Sequence, residues 1–374
     1  KAIPEALREQ VPIAEVVGQT SGDPLILIVV ATNRSMLKER VAAIVQTWAG
    51  NLPDNVIVRF FVGKPSADEA NEDIDALAAG AGLTDSSSII VLEAEDNEYP
   101  PVYKNTRMLS EADKMVVESR KPGKNPIDWV FKVDDATYVN AEKLVTYLEP
   151  TDPAQYHFFG AQGVGRPADR EHLAKAGLEK PYCLGGPGYI LSHSALHASA
   201  PSFEKCVAEL DVSPYREQVW HSDSVIGLCV FQKTQKGCSD EQKPSLDKRW
   251  KKFFRQFYVP SEFKAMLRKK DQKEASRSIS IHPINKAAEM AAVHALVAPN
   301  LVPTPSQNQV APSNNADSSQ RESSSLSSRK IPLSPKYAKK NFGVVEGEED
   351  VIPYILLVAA KKYPQMFNSR IQRI

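Results

Sequence analysis

An α/β fold with a mainly parallel central sheet is what this sequence predicts, and three observations carry that prediction. A continuous β-branched run lies early in the chain, from Pro24 to Ala31. Two further short apolar runs, Val56 to Val62 and Ile89 to Leu92, follow it with helical patterns in between. A fourth, from Asp128 to Val133, ends in the pair Asp134-Asp135. Strands alternating with helices call for parallel pairing, because each crossover helix returns the chain to the same end of the sheet.

Each element has its own justification. The 24–31 run is apolar at every position, as expected of a strand buried on both faces, and Thr32-Asn33 after it suits a helix start. Met36, Arg40, Ile44 and Trp48 recur at four-residue steps and mark that helix. The Ala-rich stretch from Asp68 to Ala81 is a second helix, and Tyr103 to Ser119 a long third one. Asp134 and Asp135 then stand at the carboxyl end of a central strand, where open α/β sheets bind ligands. The alternative is an aspartate turn or cap.

Composition sets limits on function. The 374 residues are 42% hydrophobic, enough for one large domain with appendages. Forty-six basic and 46 acidic residues cancel. That removes the overall attraction expected of a nucleic-acid or anionic-membrane binder. The longest strongly apolar run falls far short of the roughly 20 residues of a membrane span. Lys1 rather than Met stands first, so a signal peptide or anchor preceding it is compatible with the chain.

All four cysteines lie between residues 183 and 238. Their even number and clustering suit two local disulfides in an oxidising compartment; buried free thiols are the alternative, and no zinc-type CxxC occurs. Sequential pairing, Cys183 with Cys206 and Cys229 with Cys238, closes short loops and is the expected connectivity. Residues 241–280 are rich in Lys and Arg interleaved with aromatics, which fits a patch for phosphates, an acidic acceptor or an anionic membrane surface, or a solvated helix face with an aromatic core side. The expected organisation is a stem over 1–22, the domain over 23–298, a Ser-rich disordered linker over 299–335 and a helical C-terminal segment over 336–374.

Three blocks in order carry a family resemblance. They are Trp129-Val-Phe-Lys-Val-Asp-Asp-Ala-Thr-Tyr-Val139, Tyr182-Cys-Leu-Gly-Gly-Pro-Gly-Tyr-Ile-Leu-Ser192, and Ser222-Asp-Ser-Val-Ile-Gly-Leu-Cys229. The first resembles a strand ending in three aspartates, the second a Gly-Gly-x-Gly-Tyr loop and following helix, the third a Glu-Asp-Val segment ending in Gly-x-Cys. Together they resemble the fringe and core-1 β1,3-galactosyltransferase family, glycosyltransferase family 31, over roughly residues 24–290. The resemblance implies a GT-A type fold and inverting transfer of a sugar, galactose as the best single choice, from a UDP donor to a glycoprotein or glycan acceptor. It also implies the Golgi lumen and a type II membrane protein whose N-terminal anchor is not in this chain.

The resemblance assigns roles residue by residue. Asp223 takes the place of the catalytic base, with a helix N-cap as its alternative. Thr32, Arg40, Asp134 and Asp135 are expected to bind the donor, although Arg40 is equally read as a solvated helix charge. Gly185, Gly186, Gly188 and Tyr189 are expected at the acceptor, with a plain tight turn as the alternative. Asp134, Asp135 and His282 are expected to ligate manganese. The departure is Ala136, where the family has a third, metal-binding aspartate. It implies a weakened site that takes manganese appreciably only with UDP. It also keeps open another function, a catalytically silent relative acting as a chaperone or binding protein.

Overall fold

The structure, a computed structural model, describes residues 24–65, 73–165, 170–238, 253–268 and 272–298. The expected stem, linker and C-terminal segment, and residues 241–252 and 269–271 of the basic run, lie outside the described residues.

Strand β1 (Leu25–Ala31) lies at the centre, as its unbroken apolar character requires. Ile26, Ile28 and Val30 enter one core cluster and Leu27 and Val29 the other. A strand alternates its side chains between faces, so two cores demand apolar residues at every position. Each such side chain contributes roughly 1.5–3 kcal/mol on burial. The helical stretch after β1 starts with tighter and wider turns over 34–41 before α1 (Ala42–Val45). There follow β2 (Val56–Lys64), α2 (Ile74–Gly80), β3 (Ile89–Glu95), α3 (Val102–Ser119) and β4 (Ile127–Asp134), the order predicted. Asp73 caps α2 by accepting from Asp75 N at 3.0 Å.

The rest of the domain wraps this frame. It comprises β5 (Tyr138–Val139), α4 (Ala141–Leu148), β6 (Phe158–Gly160), β7 (Gln162–Gly163), α5 (Arg170–Lys175), β8 (Tyr182–Cys183) and β9 (Tyr189–Ser192). Helices α6 (His193–Ser199), α7 (Phe203–Asp211), α8 (Arg216–Val219) and α9 (Ser222–Thr234) come next. The last described elements are β10 (Phe254–Gln256), α10 (Pro260–Arg268), α11 (Gln272–Ala275), β11 (Ser280–His282) and α12 (Ala287–Val297). Among the described residues the main sheet runs β3-β2-β1-β4-β9-β6. The first four strands are parallel, and β9 is antiparallel to both β4 and β6. Helices α3, α6, α7 and α9 cover one face; α1, α4 and α12 cover the other.

Two expectations are corrected. The block from Tyr182 to Ser192, read as a glycine loop and following helix, instead ends in a sheet strand, Tyr189–Ser192, and the helix begins only at His193. Ser192 caps it by accepting from Ala195 N at 3.2 Å. The disulfides join Cys183 to Cys238 and Cys206 to Cys229, not sequential neighbours. Helix α7 packs on α9, which sets Cys206 against Cys229, and the chain leaving α9 returns to β8 where Cys238 N bonds to Pro181 O at 2.7 Å. Of the basic and aromatic run, Phe254 and Phe263 are buried and Phe253 and Phe257 pack against the same core, whereas Tyr258 is exposed.

A small second sheet, β10-β11-β5, positions the site. It pairs Gln256 with His282 and Ile281 with Tyr138, just beyond Asp134 and Asp135.

Candidate functional site

The site forms where β1 and β4 end side by side. Ala31 is in register with Asp134, and Asp135 N donates to Ala31 O at 3.1 Å. The chain leaves β1 toward β2 on one side while β4 lies on the other. This is the topological switch point at which open α/β sheets place ligands.

Thr32, Arg40 and Asp135 are brought together there. Thr32 Oγ1 donates to Asp135 Oδ2 at 2.8 Å and Arg40 donates to Oδ1 at 2.7 Å. Arg40 is therefore a paired site residue and not a free solvated charge. Burial pushes the Asp135 carboxyl up, while the Arg40 and Thr32 hydrogen bonds oppose that shift.

Lys132 is the residue that sequence reasoning passed over. It is 2% exposed within β4, and its ammonium pairs with Asp134 and donates to Gly185 O at 3.3 Å. The signal was available, since a lysine inside an otherwise apolar buried strand needs a partner carboxylate. Thr137 was also missed; its hydroxyl donates to Gly186 O at 2.8 Å.

The glycine loop is the hub of the arrangement. Gly185 N donates to Asp223 Oδ2 at 3.2 Å, so the loop joins Asp223 to Lys132 and, through it, to Asp134. A methyl at Gly186 would stand 2.6 Å from His282 Cε1 and Nδ1, so only glycine allows the loop to lie on that ring. Gly188 has φ +87°, and a side chain there would also meet Lys132 O at 2.5 Å. The loop is thus more than a plain tight turn.

Asp223 lies in the first turn of α9 and is partly exposed; the helix N-cap is His221. The cap alternative is therefore replaced by a first-turn carboxylate facing the loop, a position the helix dipole favours for negative charge. His282 Nδ1 lies 3.0 Å from Gln256 Oε1. Burial lowers its pKa to about 4; Asp134 opposes this, and Lys132 and Arg40 add to it, so the ring is neutral at pH 7.

Tyr189 is not at an open acceptor face. It is 0% exposed, with its ring 5.5 Å from Phe158 and 5.8 Å from the Lys132 ammonium. Strand alternation turns it into the core beneath the loop. Burial, with the charges of Asp223 and Asp134, pushes its hydroxyl well above the ordinary value.

The expected ligand set of Asp134, Asp135 and His282 does not fit a protein-held manganese ion. Both Asp135 oxygens are engaged, Asp134 is paired with Lys132, and Ala136 offers a methyl. Among the described residues, no three His, Cys, Asp or Glu side chains gather as a metal group.

A family model described as Fringe-like matches residues 21–239. Chondroitin sulfate synthase 3 of Mus musculus is 28% identical over 214 residues, covering 56% of this chain and 21% of that protein. UDP-GlcNAc:betaGal beta-1,3-N-acetylglucosaminyltransferase 9 of Homo sapiens is 26% identical over 234 residues, 57% of this chain and 53% of that one. The chain thus spans about a fifth of the first relative and about half of the second. Among solved structures, galactosyltransferase LgtC with donor and acceptor sugar analogs aligns at TM-score 0.38 and 15% identity, covering 72% of this chain and 95% of that chain.

Proposed function

Since the chain belongs to the Fringe-like family, we propose that it is an inverting glycosyltransferase that moves a sugar from a UDP donor to a glycan or glycoprotein acceptor, forming a β1,3 linkage. The observation that carries this reading is that a partly exposed carboxylate, Asp223, and the Lys132–Asp134 pair are tied to one glycine loop, with the Arg40–Asp135 pair next to them at the end of β4.

In this reading Asp223 takes the proton from the acceptor hydroxyl as its oxygen attacks the anomeric carbon. The bond from that carbon to the diphosphate oxygen breaks with inversion, and UDP departs with the electron pair. Leaving-group charge develops beside fixed cations, which lowers the barrier because they need no reorientation at the moment of reaction. The human relative is named for a UDP-linked donor and a β1,3 bond, which supports the same class. Galactose stays the first donor to test, alongside the N-acetylglucosamine of that name. The two disulfides support folding in an oxidising compartment, and with the family they support a lumenal protein of the secretory pathway.

The test is UDP release by the purified chain across UDP-sugars and β-galactoside or glycoprotein acceptors. Release that depends on one donor and one acceptor class supports transfer. Ala136 favours a second reading, a non-catalytic binding or chaperone role. Silence with every donor, together with retained UDP or glycan binding, would favour that reading over transfer.

A further inference from the structure

The carboxyl end of β4 holds its charges as closed pairs. Asp134 is met by the Lys132 ammonium, with side-chain exposures of 35% and 2%. Asp135 gives one oxygen to Arg40 and the other to Thr32, and its side chain is 9% exposed. Lys132, Asp134, Arg40 and Asp135 therefore sum to no net charge. The next position, Ala136, is 5% exposed, and its carbonyl accepts from Ile284 N at 2.7 Å, which fixes the backbone where a further ligand would start.

Hard divalent ions are held mainly by anionic oxygens. An ion entering here would have to strip Asp134 of Lys132 or Asp135 of Arg40, and opening a buried pair leaves an uncompensated charge. Binding a diphosphate beside these groups has no such cost. Arg40 has a 30% exposed side chain and commits one of its five N–H donors to Asp135. Lys132 stands behind Asp134 as a second fixed cation that keeps the carboxylate from repelling phosphate oxygens.

We propose that this chain binds the diphosphate of its donor without a divalent cation, Arg40 and the Lys132–Asp134 pair taking the place of the metal. The inference rests on the UDP-sugar reading above. Alanine at 136 is the decisive residue, because a carboxylate there would be the one acid at this strand end with no cation assigned to it.

Calorimetric titration of UDP into the full chain, in excess EDTA and in excess manganese, tests the proposal. The expected dissociation constants agree within about twofold, and Arg40→Gln weakens UDP about tenfold in both buffers. Ala136→Asp is expected to confer a manganese-dependent gain of about tenfold. UDP binding to the unmodified chain that strengthens tenfold or more with manganese would overturn the inference and leave the donor reading standing. Failure of UDP to bind in either buffer would overturn both. If Ala136→Asp does not fold, the comparison on the unmodified chain decides alone.

Discussion

Replacing Lys104 with methionine removes a cation from one of the driest ion pairs in the domain. Side-chain exposures are 4% for Lys104 and 3% for Asp96. The ammonium uses all three of its donors, on Asn33 Oδ1 at 2.7 Å and on Asp96 O and Oδ1, each at 2.8 Å. Asp96 in turn accepts from Arg34 N and Gly63 N, both at 2.6 Å, so one carboxylate ties together the ends of β1, β2 and β3. Burial lowers the Lys104 pKa, with Asp96 as the chief opposing influence. Methionine preserves most of the volume and leaves the buried Asp96 carboxyl without its cation. Removing one partner of a buried pair typically costs about 3–5 kcal/mol, and the two remaining backbone donors place the expected loss near the lower end, about 3 kcal/mol. Urea unfolding followed by tryptophan fluorescence measures it as a lower midpoint at unchanged slope. The double variant Lys104→Met/Asp96→Asn is expected to lose about 2 kcal/mol less than the sum of the single losses. A loss below about 1 kcal/mol for Lys104→Met would refute the assignment of this pair as the clamp on the strand ends.

Asp223→Asn is expected to lower turnover at least about a hundredfold while UDP affinity stays within a few fold, because the base and nucleotide groups are separate; near-normal turnover would place the base elsewhere. Gly186→Ala forces its Cβ to 2.6 Å from the His282 ring and should cut turnover about tenfold, whereas Gly185→Ala meets Asp223 and Lys132 at an ordinary 3.6 Å and should be tolerated; equal effects in steady-state assays would contradict the loop geometry. Cys238→Ser opens a loop whose ends are 55 residues apart, an expected loss of about 4 kcal/mol by chain entropy, read by thermal unfolding under non-reducing conditions. His193 and His282 are held near a pKa of about 4 by burial, against about 6.5 when unfolded. Between those values the unfolded chain binds more protons, so stability falls as pH drops from about 6.5 toward 4; a melting temperature flat across that window would show that both rings protonate in the folded state.

The sequence alone determined the succession of strands and helices from β1 to β4, the long helix α3 and the acidic strand end, because each is written in local periodicity; the order of the strands within the sheet came from the fold. The unbroken run of β1 is short and β-branched, which suits a strand buried on both faces rather than a buried helix. The three motif blocks were equally legible, and they singled out Asp223, Asp134, Asp135 and the glycine loop, whereas Arg40 lies outside them and read equally as a solvated helix charge. Tertiary structure decided what depends on contact between distant segments. Cys206 lies against Cys229 because α7 packs on α9, and short sequence separation carries no information about that packing. Tyr189 turned out to be buried because its loop leads straight into a sheet strand, where alternation assigns its face. Arg40 and Thr32 reach Asp135 across separations of 95 and 103 residues, closing a carboxylate that the sequence left open for metal. Lys132 illustrates the division most plainly, since the chain shows a lysine in a buried strand with Asp134 two residues on and on the same face, but only the fold brings up the Gly185 oxygen that joins them.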